Sequence, residues 1–227
     1  MAVPMRLQLL GTFGHSGGAA QLARQFESRR IPMRVTPVAP EEATGALHAL
    51  YEGELAAKGY IPNYTRLFSL RPEVYRAWRQ LVSALNGTME LRRYELATLA
   101  AAEALRCRYC VAAHGAILES KFFDRSQLEA IVRDFRTAGL DPLDVAIMAF
   151  AQKIALHAYE VTDADVDELR AHGLSDGEIL DVALAASARS FFSKTLDAMG
   201  CEPDEALAGT ANLLDLVERS KTQAKGR

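Results

Sequence analysis

The chain has 227 residues, 49% of them hydrophobic and 24% charged, with a formal net charge of -3 and a pI near 6.0. That length supports one sizeable hydrophobic core, and the balance of apolar and charged residues argues against an intrinsically disordered chain or a membrane protein. The weak negative charge leaves no basic footprint for nucleic acid or an anionic membrane, and no apolar run approaches the roughly 18 to 20 residues of a spanning helix.

The first stretch carries the least pattern. MRLQLL is interrupted by Arg6 and Gln8 and followed at once by GTFGHSGG, too short an apolar run for a secretory signal. Residues 1–32 are expected to be an extension, either a tail that crosses a neighbouring subunit or residues ahead of a start at Met33. IPMRVTPVAP then imposes an extended entry through Pro32, Pro37 and Pro40.

Helical signals follow. EEATGALHALYEGELAAKG offers acids for a first turn and Gly59 as its stop, and a segment opening after Pro62 leads to a helix with Pro72 at its first position. Asn86 and Gly87 read as a break before the next helix, in which Leu91, Leu96, Leu99 and Leu105 stand among many alanines. The helix that follows is expected to fade near Lys121, and Ser126 with Glu129 reads as a capping box for SQLEAIVRDF, ended by Gly139.

Asp141 and Pro142 read as N-cap and first helical residue of DPLDVAIMAFAQKIALHA, the most apolar helix of the chain. VTDADVDELRAHG is a short helix ending at Gly173, and Ser175 with Glu178 is a second capping box, opening a long helix that Gly200 closes. No stretch sustains strand alternation, so the fold class expected is all-α. The domain is expected to span residues 33–215, with 216–227 a polar tail that frays.

The chemistry concentrates in ELATLAAAEALRCRYCVAAH, residues 95–114. On a helix Cys107 and Cys110 would stand about 300 degrees apart around the axis, close enough for one thiolate to reach the other sulfur. His114, one turn beyond Cys110 and about 40 degrees away, can place its imidazole over that sulfur. Glu95 can orient and polarise a histidine, as the third member of a nucleophile, base and orienter set does. Three cysteines in a chain this long do not make a disulfide framework, and a C-x-x-C fits redox or metal chemistry in a reducing compartment, so the cytoplasm is expected.

The spacing Glu95, Cys107, Cys110, His114 resembles the signature of the AhpD-like alkylhydroperoxidase family, in the carboxymuconolactone decarboxylase superfamily. The likeness extends to GYIPNYTRLFSLRPEVYRAWRQL before the motif and VTDADVDELRAHGLSDGEILDVALAASARSFFSKTLDAMG after it, roughly Met33 to Leu207. It implies an AhpD-like helical bundle that forms a homo-oligomer. It also implies that Cys110 is the peroxidatic nucleophile, that Cys107 resolves, and that His114 and Glu95 relay protons. AhpD itself has a histidine where this chain has Tyr109, a change familiar in peroxidase-related members that removes one possible proton donor.

The activity implied is thiol-dependent reduction of a hydroperoxide, with a dithiol reductant that is a lipoyl-bearing or a thioredoxin-like protein, and with no haem, flavin or metal cofactor required. Other readings of the same residues are a lactone decarboxylase with no use for the dithiol, a redox-responsive binding protein, and a general disulfide oxidoreductase. A zinc site of Cys107, Cys110, His114 and Glu95 would be cramped for the usual tetrahedral geometry. Glu95 could instead be a buried structural acid paired with an arginine. His157 and His172 read as helix-end residues near a C-terminus, where a cation is favoured, His15 and His48 lack partners in sequence, Cys201 reads as a packed bystander, and Trp78, Phe191 and Phe192 as core or subunit interface. Arg29 and Arg30 read as a solvated turn.

Overall fold

A computed structural model describes residues 33–216. The expected N-terminal extension, the tail from residue 217 onward, and His15, Arg29 and Arg30 lie outside the described residues.

Among the described residues there are helices and turns but no strand. The α-helices are α1 (Gly45–Lys58), α2 (Asn63–Leu67), α3 (Pro72–Thr88), α4 (Leu91–Ala104) and α5 (Arg108–Lys121), then α6 (Arg125–Asp134), α7 (Pro142–His157), α8 (Asp163–Ala171) and α9 (Asp176–Ala198). α4 is the centre: it packs on α5, α7 and α9, and α9 also lies against α3 and α7. Every residue of α4 from Tyr94 to Ala102 is buried. The alanines at 97, 100, 101 and 102 leave room for neighbouring helices on all sides, as a helix buried all round requires.

Helix ends follow their sequence signals in most places. Gly59, Gly139, Gly173 and Gly200 all adopt left-handed φ, where a side chain would be strained. Ser175 and Glu178 form the reciprocal capping box expected of them, and Thr162 with Asp165 forms another. Arg34 caps the other end of α9, donating its N–H to Met199 O at 2.8 Å and its guanidinium to Asp197 O and Ala198 O at 2.8 and 3.0 Å.

Three expectations need correction. Asn86 and Gly87 do not break a helix: α3 runs through them to Thr88, because Gly87 keeps an ordinary helical backbone, and the break falls at Met89 and Glu90. α6 is capped by Asp124, which accepts the N–H of Gln127 at 2.8 Å, while Glu129 pairs with Arg125 at 2.8 Å and makes no box with Ser126. Glu41 and Glu42 sit in a 3-10 turn ahead of α1, whose own first turn holds no acid.

The turn from α4 to α5 matters most. Arg106 N–H bonds Glu103 O at 2.8 Å and Cys107 N–H bonds Ala102 O at 3.0 Å, the paired bonds of a Schellman stop. The left-handed residue is Arg106, with φ 60, where glycine would be usual. Cys107 is therefore the N-cap of α5 and Cys110 lies in its first turn, so the two cysteines do not share a continuous helix.

Candidate functional site

Glu95 projects from α4 and His114 from the antiparallel neighbour α5, and both are buried. Glu95 Oε2 lies 2.6 Å from His114 Nδ1, an ion-pair distance, and Thr98 Oγ1 lies 3.2 Å from the same nitrogen. A carboxylate only accepts, so this contact places a proton on Nδ1 and fixes the ring's orientation. Glu95 thus pairs with the histidine and not with an arginine.

Cys107 and Cys110 are free thiols that come within 3.4 Å of each other. Their surroundings are unequal. The Cys107 thiol donates to the Cys110 sulfur, and this, followed by the charges of Arg189 and His114 and the Ser193 hydroxyl, holds Cys110 well below the usual thiol range despite its burial. The same hydrogen bond, with burial next, pushes Cys107 above that range. Cys110 is therefore the more readily ionised of the two thiols and Cys107 the one that holds its proton more firmly.

Cys110 and His114 open into a cavity of about 580 Å³, whose walls include Tyr64, Tyr75, Trp78, Tyr94, Tyr109 and Phe192, together with Glu95 and Arg189. Cys107 is fully buried and lies outside that lining. Trp78 and Phe192 stack with centroids 4.6 Å apart, so these two rings serve as core and cavity wall together, a role their helical spacing did not reveal. Phe191 is on the outer side, 47% exposed. The Tyr109 hydroxyl donates to the buried carboxylate of Asp204, which also accepts Asn63 N–H at 2.8 Å. That bond commits the Tyr109 proton to Asp204, so its ring, and not its hydroxyl, faces the site.

Asp197, near the end of α9, is within hydrogen-bonding reach of Cys107, and burial raises its carboxyl to about 6. Arg189 Nη1 stands 3.5 Å from Cys110 Sγ. Arg189, Ser193, Asp197 and Thr98 were not singled out from sequence. A charged residue amid the apolar face of ILDVALAASARSFF was the one available signal for Arg189. Of the other histidines, His48 pairs with Glu52 on the surface at 3.4 Å, His157 meets the exposed Tyr159, and His172 closes α8. Cys201 is buried beside the turn at Gly200, as a packed thiol. Among the described residues no group of three or more His, Cys, Asp or Glu side chains is placed to hold a metal ion.

Residues 72–153, which run from α3 through most of α7 and contain Glu95, Cys107, Cys110 and His114, match the Carboxymuconolactone decarboxylase family. A search of curated proteins gave no match. The fold is similar to the alkylhydroperoxidase AhpD core of a peroxidase-related protein from Ralstonia eutropha JMP134, with TM-score 0.72, 23% identity, and coverage of 81% of this chain and 98% of that one. A peroxidase-related protein from Silicibacter sp. TM1040 gives TM-score 0.71 at 22% identity, with coverage of 81% and 98%. The debrominase Bmp8 gives 0.64 at 19%, with coverage of 80% and 97%. At these identities the likeness is one of fold. Residues 72–153 are thus similar to the carboxymuconolactone decarboxylase family, and the fold around them is AhpD-like.

Proposed function

We propose that the protein is a dithiol-dependent peroxidase that reduces organic hydroperoxides through Cys110 and Cys107. The observation that carries this reading is the unequal sulfur pair: a thiolate at the cavity and a protonated thiol behind it, within 3.4 Å. Cys110 attacks the distal peroxide oxygen, the O–O bond breaks, and the sulfur becomes a sulfenic acid while the departing alkoxide takes a proton from His114, whose ring Glu95 holds. Cys107 then condenses with the sulfenic acid, releasing water and forming a disulfide. An external dithiol, on a lipoyl-bearing or thioredoxin-like protein, reduces that disulfide by exchange.

A lactone decarboxylase could use Glu95 and His114, but it would leave the polarised thiols without work. A second reading is favoured by the aromatic walls of the cavity and the likeness to a debrominase, one of whose structures is a complex with 2,3,4-tribromopyrrole. In that case the dithiol supplies two electrons to a brominated ring, a proton replaces the halogen on carbon, and bromide leaves as the disulfide forms.

The test is mass spectrometry of the reduced protein after one equivalent of cumene hydroperoxide. The expected product is a Cys107–Cys110 disulfide in the wild type, and a sulfenic acid at Cys110 in Cys107→Ser that further equivalents of peroxide carry to sulfinic and sulfonic acid. Thiols that survive the peroxide but are oxidised by a bromopyrrole would replace the first reading with the second.

A further inference from the structure

Arg189 is a buried guanidinium, 6% exposed, whose hydrogen-bonding neighbours are Tyr94 and the Cys110 sulfur. Its nearest anion is the Cys110 sulfur, 3.5 Å from Nη1, and its flat face rests near the rings of Trp78 and Phe192, each centroid 5.6 Å away. Burying an unpaired charge is costly, so a site that retains one gains something from its field. One turn further along α9, Ser193 is fully buried. Arg189 Nε and Ser193 Oγ are both shielded from solvent; Nε has no hydrogen-bond partner among the described residues, and the Ser193 hydroxyl faces only the Cys110 sulfur. One donor beside a reactive sulfur is thus uncommitted and a second is committed to that sulfur alone, in a fold where buried polar atoms are ordinarily satisfied.

We propose that Arg189 and Ser193 are catalytic residues that form an oxyanion cradle: Arg189 is the counter-ion of the Cys110 thiolate, and Arg189 Nε and Ser193 Oγ bind the peroxide oxygen that departs as alkoxide. This rests on the peroxidase reading. A lone pair of the thiolate forms the S–O bond to the distal oxygen as the O–O bond breaks, the sulfur losing two electrons and the peroxide gaining them. Negative charge leaves the sulfur and builds on the departing alkoxide oxygen, where fixed donors in a water-poor site stabilise it without reorganising. His114, one turn along the same helix as Cys110, supplies the proton that converts the leaving alkoxide to alcohol. The Cys107 sulfur then displaces the sulfenic oxygen, which takes the Cys107 proton and leaves as water. Arg189 suits the task better than lysine because its planar fork presents several donors while keeping its charge.

The experiment uses the full chain with Arg189→Lys, Arg189→Met and Ser193→Ala. Two quantities are read: the pH midpoint of Cys110 alkylation by iodoacetamide, followed on the Cys110 peptide by mass spectrometry, and the single-turnover rate of Cys110 oxidation by cumene hydroperoxide. Arg189→Met is expected to raise the midpoint by about one unit or more and to slow oxidation roughly 100-fold. Arg189→Lys should hold the midpoint near the wild-type value yet oxidise about tenfold more slowly, and Ser193→Ala should oxidise about tenfold more slowly with a midpoint raised by less than in Arg189→Met. Those two near-isosteric changes carry the test if Arg189→Met fails to fold. Wild-type midpoints and wild-type oxidation rates in Arg189→Lys and Ser193→Ala would overturn the cradle. If wild-type Cys110 is not oxidised by peroxide at all, the peroxidase reading falls and the oxygen-binding role with it, while an Arg189→Met midpoint raised as expected still supports Arg189 as the thiolate's counter-ion.

Discussion

The cysteine that carries the proposed chemistry is set apart from its neighbour by what each touches. Cys110 accepts from the Cys107 thiol and faces Arg189 and His114, and all three favour its charged form. A lowered thiol stays ionised as the pH falls through the usual thiol range near 8.5, so alkylation of Cys110 should remain fast at neutral pH and decline only in acid. A peptide-level iodoacetamide profile checks this; a midpoint for Cys110 above that of Cys107 would reverse the two assignments. Glu95 gives a second prediction. Glu95→Gln keeps the size of the side chain but removes the charge that holds His114 at 2.6 Å, and turnover should fall about 100-fold while the protein stays folded. Sequence placed Glu95, Cys107, Cys110 and His114 in one stretch, and the structure brings them to one site. It could not show Arg189 and Ser193, because they lie some eighty residues away on a helix whose register against α5 only packing decides.

At the scale of elements, the site depends on how closely α4, α5 and α9 approach. Gly115, one residue after His114, has no space beside it: a Cβ there would lie 2.6 Å from Leu213 Cδ1 and 3.7 Å from Leu128 Cδ2. Leu213 and Leu128 are fully buried and have little room to yield. Gly115→Ala adds helix propensity worth about 1 kcal/mol, but overpacking typically costs about 1–3 kcal/mol, so a net loss of up to about 2 kcal/mol is expected in urea unfolding. A gain of stability would mean that the 210–213 turn is free to shift. Helix stops were legible because glycines at positive φ announce them, as at Gly59, Gly173 and Gly200. The stop before Cys107 was hidden because Arg106 takes the left-handed position instead. Gly87 misled in the opposite sense, since a helix supported by packing tolerates a glycine near its end.

Residues 33–216 form a set of helices around one buried hairpin of α4 and α5, with a cavity of about 580 Å³ over Cys110. The all-α class was legible from the apolar periods and caps, and the likeness to AhpD-like proteins from the motif spacing and its flanks. The aromatic lining was not, since Tyr64, Trp78 and Phe192 come from three different helices and converge only after folding. That lining predicts a preference for bulky apolar peroxides: kcat/KM for cumene hydroperoxide should exceed that for hydrogen peroxide by at least about tenfold, and Trp78→Ala should narrow the gap. Equal values for the two peroxides would show that the walls do not take part in recognition. The central claim is catalytic turnover through the dithiol, and it is tested most directly by steady-state consumption of cumene hydroperoxide with dihydrolipoamide as reductant. The account predicts turnover in the wild type that is lost in Cys110→Ser and stalls in Cys107→Ser. Undiminished activity in Cys110→Ser, or none in a wild type with its thiols shown to be free, would contradict it.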